Sequence, residues 1–439
     1  MAAARCIGIL AGGGSLPREI ADSIAARGLP LHIVALSGET DADFGAHPVT
    51  RVSFGEIGRM VKTLRAAGCT DLVIIGAVKR PDLGAIKPDL GFFRALATVA
   101  RLVLAGGDDS VLRGVIRFFE KHGFRVIGPE QVAPELVIGA QTLSRLKPDA
   151  AMLADARLGF DLVGQLGAFD IGQAAIVTDG RIEAIEGAEG TDRLLVRVAE
   201  ARRRRGLPAS TARGILVKRA KPAQDRRIDL PVIGPGTITR AIEVGLAGIV
   251  VEAGRVLAAA RPEMALRAET SGLVVAGVEV AASARATDAT RTASAAAGAG
   301  ELQVLTERKP RARAVRDVRK ALAIGDAMRA FGGTRAVVVV RGHVLAVESG
   351  EGVEDTIARA SGLRQWGDRR LAWRAGVLSL TAGRDCTAET VAAARKAGFA
   401  GIVVGLKRFK AGVAADVIAA ADKSGLFIAG VHAEDETHG

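Results

Sequence analysis

The chain has 439 residues, which at about 150 residues per domain predicts about three domains. Apolar residues make up 49% and charged residues 25%, a composition typical of a globular protein and not of a disordered tail. Lys and Arg outnumber Asp and Glu by 60 to 48, which favours anionic partners. Aromatic residues make up only 3%, with no Tyr, so we expect no nucleic-acid partner that stacks bases on aromatic rings.

The N-terminal part of the chain, 1–140, alternates short apolar runs with amphipathic ones. Strands are predicted over 6–10, 31–36, 71–78 and 125–127, and helices from Pro17 to about 26, around 57–64, and from 108 or 109 to about 122. This alternation predicts an α/β domain, a parallel sheet with helices on its faces, over 1–140.

Residues 141–281 are predicted to form a second α/β domain. It has a helix around 156–166, a hairpin over 173–186 that turns at Asp179–Gly180, a helix after Thr191, and a helix at 238–244 before the apolar run 248–251. Residues 282–312 are rich in Ala, Thr, Ser and Gly, without apolar periodicity, and predict a linker.

Residues 313–439 repeat the pattern of the second domain. A shift of 162 maps Gly180 onto Gly342 and Glu186 onto Glu348, whereas a shift of 153 maps 247–251 onto 400–404. The difference of nine (162 − 153) indicates a deletion between the two blocks. We therefore predict one tandem duplication, since a solenoid array needs at least three repeats.

Other residue types limit the chemistry. The three Cys residues are too few and scattered for a disulfide framework or a zinc site, and the His residues show no HxxxH spacing. A metal, if bound, is therefore held by carboxylates, which favours Mg²⁺. The chain has no apolar run long enough to span a bilayer and no signal-peptide core, and it is predicted to be cytosolic. The Arg run at 202–205 is interpreted as a solvated face.

Two predicted loops at strand ends carry residues suited to a phosphate. Gly12, Gly13 and Gly14 join a strand to a helix whose N-terminus offers N–H donors. A second loop runs from Gly76 through Val78 to Arg80, whose planar guanidinium matches phosphate oxygens. A tight turn without ligand, and an ordinary surface Arg, are the alternatives.

Two further polar residues lie where helices are predicted to begin. Asp109 either caps its helix or serves a ligand or metal site. Thr191 either caps its helix or receives an anionic group, together with the adjacent N–H groups.

The densest charged segment covers residues 217–234. Two Pro residues and a Gly predict a stiff loop that brings Lys218, Lys221 and Arg226 or Arg227 beside Asp225 and Asp229. Such a mixture suits phosphoryl chemistry, because cations neutralise the transferring group while carboxylates hold Mg²⁺ or orient water. The alternative is a solvated charged loop. The second copy loses residues in this interval, which favours a catalytic role in the first copy, although surface loops also vary.

These motifs, in this order, resemble the Mg²⁺-dependent UDP-2,3-diacylglucosamine pyrophosphatases of lipid A biosynthesis, the type unrelated to calcineurin-like phosphoesterases. The resemblance covers about residues 5–280. Its motifs are AGGGSLP at 11–17, GAVKRPD at 76–82, GDDSVLR at 107–113, EGTD at 189–192 and KRAKPAQDRRIDLPVIG at 218–234. It implies a Rossmann-like N-terminal domain and an α/β catalytic domain. The alternative function is a nucleotide-sugar or dinucleotide-binding protein without hydrolytic activity.

The resemblance also implies roles for single residues. Asp229 becomes the key acidic residue and a Mg²⁺ ligand, with Lys221 and Gln224 as catalytic contacts to phosphate or the metal shell. The substrate-binding residues are Gly12, Gly13, Gly14, Gly76, Val78, Arg80, Asp109 and Thr191.

Several further properties follow from the same resemblance. Water attacks the α-phosphorus, which gives UMP and 2,3-diacylglucosamine 1-phosphate. The chain is expected at the cytosolic face of the inner membrane, on an anionic surface, and as a possible homodimer. The second copy lacks KPxQ and IDLP, carries Glu354 where the first has Asp192, and is expected to be non-catalytic.

Overall fold

The computed structural model describes residues 5–78, 108–207, 212–222, 224–280, 302–364, 374–405 and 413–431. The chain divides into two compact units, each built from several segments. The first comprises Met1–Gln141, Gln224–Ile238 and Ala253–Thr270, and the second comprises Thr142–Ala223, Thr239–Glu252 and Ser271–Gly439. The charged segment 217–234 is thus divided: residues 217–223 belong to the second unit, and residues 224–234 belong to the unit that contains the N-terminal residues.

The first unit is built on a parallel sheet. Its strands are β1 (Cys6–Ala11), β2 (Leu31–Leu36), β3 (Val49–Val52), β4 (Cys69–Ile75) and β5 (Arg125–Val126). They are arranged in the order β3-β2-β1-β4-β5, and every pair is parallel. This is the strand order of the doubly wound nucleotide-binding folds. The prediction of an α/β fold with an N-terminal parallel sheet is confirmed.

Helices cover this sheet with the apolar faces that the sequence pattern predicts. They are α1 (Leu16–Ala26), α2 (Ile57–Ala66), α3 (Asp108–Lys121) and the short α4 (Pro129–Val132). Ile20 and Ile24 of α1 are fully buried, as is Leu64 of α2, since residues three or four apart share one side of a helix. The predicted strand 71–78 differs: it begins at Cys69 and ends at Ile75, because Gly76 turns the chain with a φ of +102°.

The second unit contains two sheets. In chain order, the elements of this part of the chain are α5 (Ala150–Gly167), β6 (Ala174–Thr178), β7 (Arg181–Ile185), α6 (Thr191–Arg204), β8 (Ile215–Lys218), β9 (Val232–Ile233), α7 (Pro235–Val244), β10 (Gly248–Glu252), β11 (Leu257–Ala258), α8 (Arg261–Ser271) and β12 (Val274–Val278). Of these, β9, β11, the first turn of α7 and α8 up to Thr270 lie in segments of the first unit. The sheet has the order β12-β10-β8-β6-β7, whereas β9 and β11 form a separate parallel pair. Strands β8, β10 and β12 are parallel, and β6 is antiparallel to both of its neighbours.

The second sheet of this unit comes from the C-terminal residues. Its elements are β13 (Leu302–Val304), α9 (Ala312–Met328), β14 (Ala336–Val340), β15 (His343–Val347), α10 (Val353–Leu363), β16 (Val377–Leu380), α11 (Ala388–Lys396), β17 (Gly401–Gly405), α12 (Ala415–Ser424) and β18 (Phe427–Val431). The order is β13-β18-β17-β16-β14-β15. Apart from the edge strand β13, this is the arrangement of the first sheet.

The hairpins of the two sheets share further details. Strand register shifts at Ile176/Val177 in one and at Val338/Val339 in the other, which are equivalent positions in the predicted duplication. The turns between the strands have positive φ at both central residues, Asp179–Gly180 and Arg341–Gly342, as two-residue hairpin turns require.

Two predicted boundaries change in the structure. Residues 302–304, expected within a linker, form β13 and pair antiparallel with β18, because Leu302 and Val304 alternate with a polar residue as in an edge strand. The remaining linker residues up to 301 lie outside the described residues. In the part of the chain that the structure describes, we find no helix with the length and apolar character to cross a membrane.

Candidate active site

The glycine loops of the first unit lie where its strand order reverses. Strands β1 and β4 are neighbours, β2 lies outside β1, and ligands of such sheets bind beyond the carboxyl ends of the strands at this switch point. The loop 12–14 follows β1 and the loop 76–78 follows β4, so both predicted loops lie at the edge where a nucleotide would bind.

These two loops are paired through their backbones. The N–H of Gly12 donates to the carbonyl of Ile75 at 2.9 Å, and Gly13 and Ala77 exchange hydrogen bonds of 2.7 and 2.9 Å. A Cβ on Gly12 would lie 2.6 Å from the carbonyl oxygen of Ala77. The first two glycines of the loop are therefore required by the close approach of two backbones, and their N–H groups already have acceptors.

Gly14, unlike Gly12 and Gly13, has open space where a Cβ would lie. Its φ is +92°, no heavy atom of the described residues beyond its chain neighbours lies within 4 Å of the position of a Cβ, and α1 begins two residues later with Pro17 in its first turn. Val78, at the end of the second loop, is 45% exposed. Arg80 lies outside the described residues, as does the side chain of Asp109, whose backbone is in the first turn of α3.

The acidic segment 224–231 is anchored within the first unit. Leu230 is buried in the same apolar cluster as Ala11 and Leu16, which flank the glycine loop, and the following strand β9 pairs with β11. Gln224 is buried. Asp229 is half-buried, and its N–H donates to the carbonyl of Asp225 at 3.1 Å. The fold therefore ties Asp229 to the cluster that supports the glycine loop.

Asp225 is paired with Arg227, one of the cations that the sequence places beside it. Both its carboxylate oxygens accept hydrogen bonds from Arg227, at 2.9 and 2.7 Å, and Arg227 also pairs with Glu120 at 2.7 Å. These bonds to Arg227 hold the pKa of Asp225 below its ordinary value. Asp225 thus acts within an ion pair with Arg227.

In the second unit, a buried polar network lies at one edge of the first sheet. Strands β7, β8 and β10 run in the same direction, and Glu186, Lys218 and Glu252 lie at their carboxyl ends, all of them buried. Lys218 Nζ donates to Thr191 Oγ1 at 2.9 Å, and Thr191 Oγ1 donates to Glu186 Oε1 at 2.9 Å. Thr191, predicted to meet an anion, is therefore fixed between a cation and a carboxylate at the N-terminus of α6.

Two more cations join this edge. Arg219 lies next to Lys218 and pairs with Glu252 at 3.4 Å. Lys221 forms a salt bridge with Asp170, which has a positive φ of 62°. Arg219 and Lys221 therefore pair with acidic residues from other elements of the second unit, Glu252 and Asp170, which the sequence did not predict as partners.

The polar partners in this network were missed by sequence reasoning. Glu186 directly follows Ile185, the buried last residue of β7, and Glu252 is the last residue of the buried strand β10. A charged residue at the carboxyl end of a buried strand is the signal that would have revealed them. Asp170 carries no such signal, since its position follows from the turn after α5.

Lys320 of α9 is also electrostatically coupled to this region. Burial lowers the pKa of its ammonium group, the carboxylates of Asp170 and Asp317 raise it, and the charge of Lys221 lowers it. Its Nζ donates to the carbonyl of Gly342 at 2.7 Å. The C-terminal half of the unit thus contributes a cation near Lys221.

Comparison with known proteins decides the family. The LpxI N-terminal domain matches residues 6–136, and the LpxI C-terminal domain matches residues 139–276 and 301–379. The UDP-2,3-diacylglucosamine pyrophosphatase LpxI of Caulobacter vibrioides is 39% identical over 277 residues, which are 63% of this chain and 98% of that protein. The chain belongs to the LpxI family.

The match to the LpxI C-terminal domain extends beyond the 277 residues that align with that relative. The LpxI C-terminal domain matches the chain in two separate ranges, and the second covers β13 to β16. Among solved structures, a murein peptide ligase Mpl from Psychrobacter arcticus 273-4 is 12% identical, with 98% of this chain and 91% of that chain covered. Its TM-score of 0.16 is too low to support any inference.

Proposed function

We propose that this chain hydrolyses the pyrophosphate bond of UDP-2,3-diacylglucosamine and releases UMP and 2,3-diacylglucosamine 1-phosphate in lipid A biosynthesis. The observation that carries the proposal is the match to the LpxI of Caulobacter vibrioides over 98% of its length at 39% identity. Both LpxI domains match, so every site residue described above lies within the matched ranges.

The first unit is suited to the nucleotide end of such a substrate. The N–H groups of Gly12 and Gly13 are donated to other carbonyls, which leaves the positive-φ residue Gly14 and the first turn of α1 as the part of the loop that faces an anion. A helix N-terminus stabilises a phosphate through its N–H groups and its dipole. We assign Gly12, Gly13 and Gly76 to shaping this loop and Gly14 to the contact.

The buried edge of the second unit is suited to the charge of a phosphate. Lys218, Arg219 and Lys221 supply cations there, and Thr191 is a hydroxyl held at a helix N-terminus. Preorganised donors of this kind stabilise the charge that develops on phosphoryl oxygens, and they need no rearrangement during the reaction. We assign Lys221 and Gln224 to contacts with phosphate, as the family resemblance implies.

The residues fit a magnesium ion that is held mainly by its substrate. Within the described ranges, no group of three or more His, Cys, Asp or Glu side chains converges on one point. Mg²⁺ in phosphoryl-transfer sites keeps several waters and takes one or two protein carboxylates, with substrate phosphates as further ligands. The half-buried carboxylate of Asp229 fits that role. Bound there, Mg²⁺ would withdraw charge from the phosphate oxygens, and we propose that water attacks the α-phosphorus.

We also propose that the chain works at an anionic membrane surface. The proposed substrate carries two acyl chains, and the protein's net charge of +12 supports attraction to such a surface. Each Lys or Arg near an anionic bilayer contributes about 1 kcal/mol.

UMP release tests the activity directly. The purified chain with UDP-2,3-diacylglucosamine and Mg²⁺ should produce UMP at a rate that EDTA abolishes and added Mg²⁺ restores. Binding of the substrate without any UMP would instead identify a nucleotide-sugar-binding protein. With the substrate in vesicles, the rate should be higher for anionic than for neutral lipid and should fall as salt rises; equal rates would contradict the membrane proposal.

A further inference from the structure

Four charged residues at the centre of the second unit are related by a constant shift of 162. Arg197 and Glu189 correspond to Arg359 and Glu351 (197 + 162 and 189 + 162). Arg197 pairs with Glu351 at 2.8 Å, and Arg359 pairs with Glu189 at 3.4 Å. Each arginine also pairs with the glutamate of its own half. Even the most accessible of the four side chains, that of Arg197, is only 17% exposed.

Backbone contacts of these arginines follow the same shift. Arg197 donates to the carbonyl of Ile185 at 2.9 Å, and Arg359 donates to that of Val347, the counterpart of Ile185, at 3.0 Å. Gln165 Nε2 donates to the carbonyl of Ala327 at 3.2 Å, so this residue contacts its own counterpart. A contact between counterparts, together with reciprocal contacts on either side, is the signature of a two-fold axis.

The apolar core between the halves shows the same relation. Helices α5 and α9 pack together, and one buried cluster contains residues of both halves. Its counterpart pairs are Leu162 and Ile324, Leu166 and Met328, Val177 and Val339, and Ile185 and Val347. The two sheets therefore share one core, and their contact has the composition of an obligate dimer interface.

Two residues of the basic run 202–205, Arg204 and Arg205, contact the C-terminal half of the unit. Arg202 is only 4% exposed, pairs with Glu183 and donates to the carbonyls of Val244 and Gly245, so its predicted place on a solvated face is wrong. At the rim, Arg204 pairs with Asp355 at 2.9 Å and Arg205 donates to the carbonyl of Gly350 at 2.6 Å.

The C-terminal half keeps this interface but lacks three of the polar residues of the buried edge. Lys218 ends β8 where Leu380 ends β16, and Glu252 ends β10 where Gly405 ends β17. Thr191 opens α6 where Val353 opens α10. These three positions are apolar or glycine in the second half, whereas Glu186 is retained as the buried Glu348.

We propose that residues 302–431 are a degenerate copy of residues 142–278 that serves as a built-in second subunit. The copy covers the face formed by α5, α6 and the β6–β7 hairpin, which would otherwise pair with the same face of another chain. The chain is therefore an internal pseudo-dimer and a monomer in solution, in place of the homodimer predicted from the sequence. This inference does not depend on the proposed reaction.

The molar mass of the full chain tests the proposal first. Light scattering during gel filtration should give 45.3 kDa, one chain, from micromolar concentrations upward. A mass of two chains would overturn the proposal, since the pairing face would then not be satisfied internally.

A chain ending at residue 280 provides the complementary test. A natural relative has about this length, because 277 aligned residues are 98% of it. Without its copy, this shorter chain should form a dimer, in which Arg197 of each molecule meets Glu189 of the other. Arg197→Glu should make it monomeric, and the combination of Arg197→Glu with Glu189→Arg should restore the dimer. A folded monomer without these substitutions would contradict the proposal.

Charge reversal in the full chain tests the two-fold relation even if the shorter chain is insoluble. Arg197→Glu and Arg359→Glu should lower the melting temperature by similar amounts, about 10 °C each, because each puts a third acid in one buried cluster. Reversing all four charges, by adding Glu189→Arg and Glu351→Arg, should recover most of the loss. Clearly unequal single effects, or no recovery, would refute the two-fold relation.

Discussion

Replacement of Asp229 by Asn is expected to reduce UMP release about 1000-fold while the protein stays folded. Asn keeps the size of the side chain and the backbone hydrogen bond to Asp225, but it removes the negative charge that would hold Mg²⁺. Substrate should still bind, because the glycine loop and the cations of the second unit are unchanged. Single-turnover UMP formation at saturating substrate measures the effect.

Asp225→Asn is the matched control, because it removes a carboxylate from the same segment, one helical turn before Asp229. Asp225 is engaged by Arg227, so the variant should retain activity within several-fold and lose about 1 kcal/mol of stability. The pKa of Asp225 is lowered in the fold, so its stabilisation is present at neutral pH and is lost as the pH falls through that lowered pKa. Equal activity losses in the two variants would show that Asp229 has no special role.

Replacement of Gly76 by Ala is expected to cost about 3 kcal/mol of unfolding free energy, with loss of most activity. Its φ of +102° strains any residue with a Cβ, and the added atom would lie 2.7 Å from the carbonyl carbon of Gly12. Since the carbonyl carbon of Gly12 is a backbone atom, no side-chain rotation relieves the clash. The loop after β4 would therefore separate from the glycine loop after β1.

Gly139→Ala is the control for this substitution. Gly139 lies in the same unit, and within the described part of the chain nothing beyond its neighbours comes within 4 Å of the position of its Cβ. Urea unfolding of both variants should show a small change for Gly139→Ala and a large one for Gly76→Ala. If Gly76→Ala were as stable and active as the unaltered chain, the paired-loop description would be wrong.

Most of the N-terminal sheet was predictable because its signals are local. Strand β2 agrees with the predicted 31–36 residue for residue, and α3 begins at the predicted Asp108, since apolar runs and helix-start residues encode these elements. Strand β3 was missed, because Val49–Val52 has only one fully buried residue and no clear alternation. Strand β8 was missed because its apolar run ends in Lys218, which assigned it to the charged segment.

Contacts between residues far apart in sequence were not predictable. Cys6 and Cys69 look scattered in the chain, yet β1 and β4 are neighbours and bring their Sγ atoms to 3.1 Å. Similarly, Lys221 pairs with Asp170, which lies in the turn after α5 and was not predicted as its partner. Strand order determines these pairings, and no local pattern encodes it.

For the site residues, too, the sequence predicted local motifs but not the contacts between distant parts of the chain. Gly12, Gly13 and Gly76 were predicted as phosphate contacts, because Gly-rich loops at strand ends often bind phosphate. The structure shows another reason for glycine at these positions, the close approach of backbones that are distant in the sequence. A Cβ on Gly12 or Gly76 would meet the backbone of the other loop, and a Cβ on Gly13 would meet the carbonyl oxygen of Glu39. Asp229 was predicted from its motif alone, and its attachment to the cluster that supports the glycine loop is visible only in the fold.

Hydrolysis in ¹⁸O-labelled water tests the proposed reaction most directly. The chain, UDP-2,3-diacylglucosamine and Mg²⁺ are incubated in labelled water, and both products are analysed by mass spectrometry. If water attacks the α-phosphorus, the label appears in UMP and is absent from 2,3-diacylglucosamine 1-phosphate. Label in the sugar phosphate, or no cleavage of the pyrophosphate at all, would contradict the mechanism that we propose.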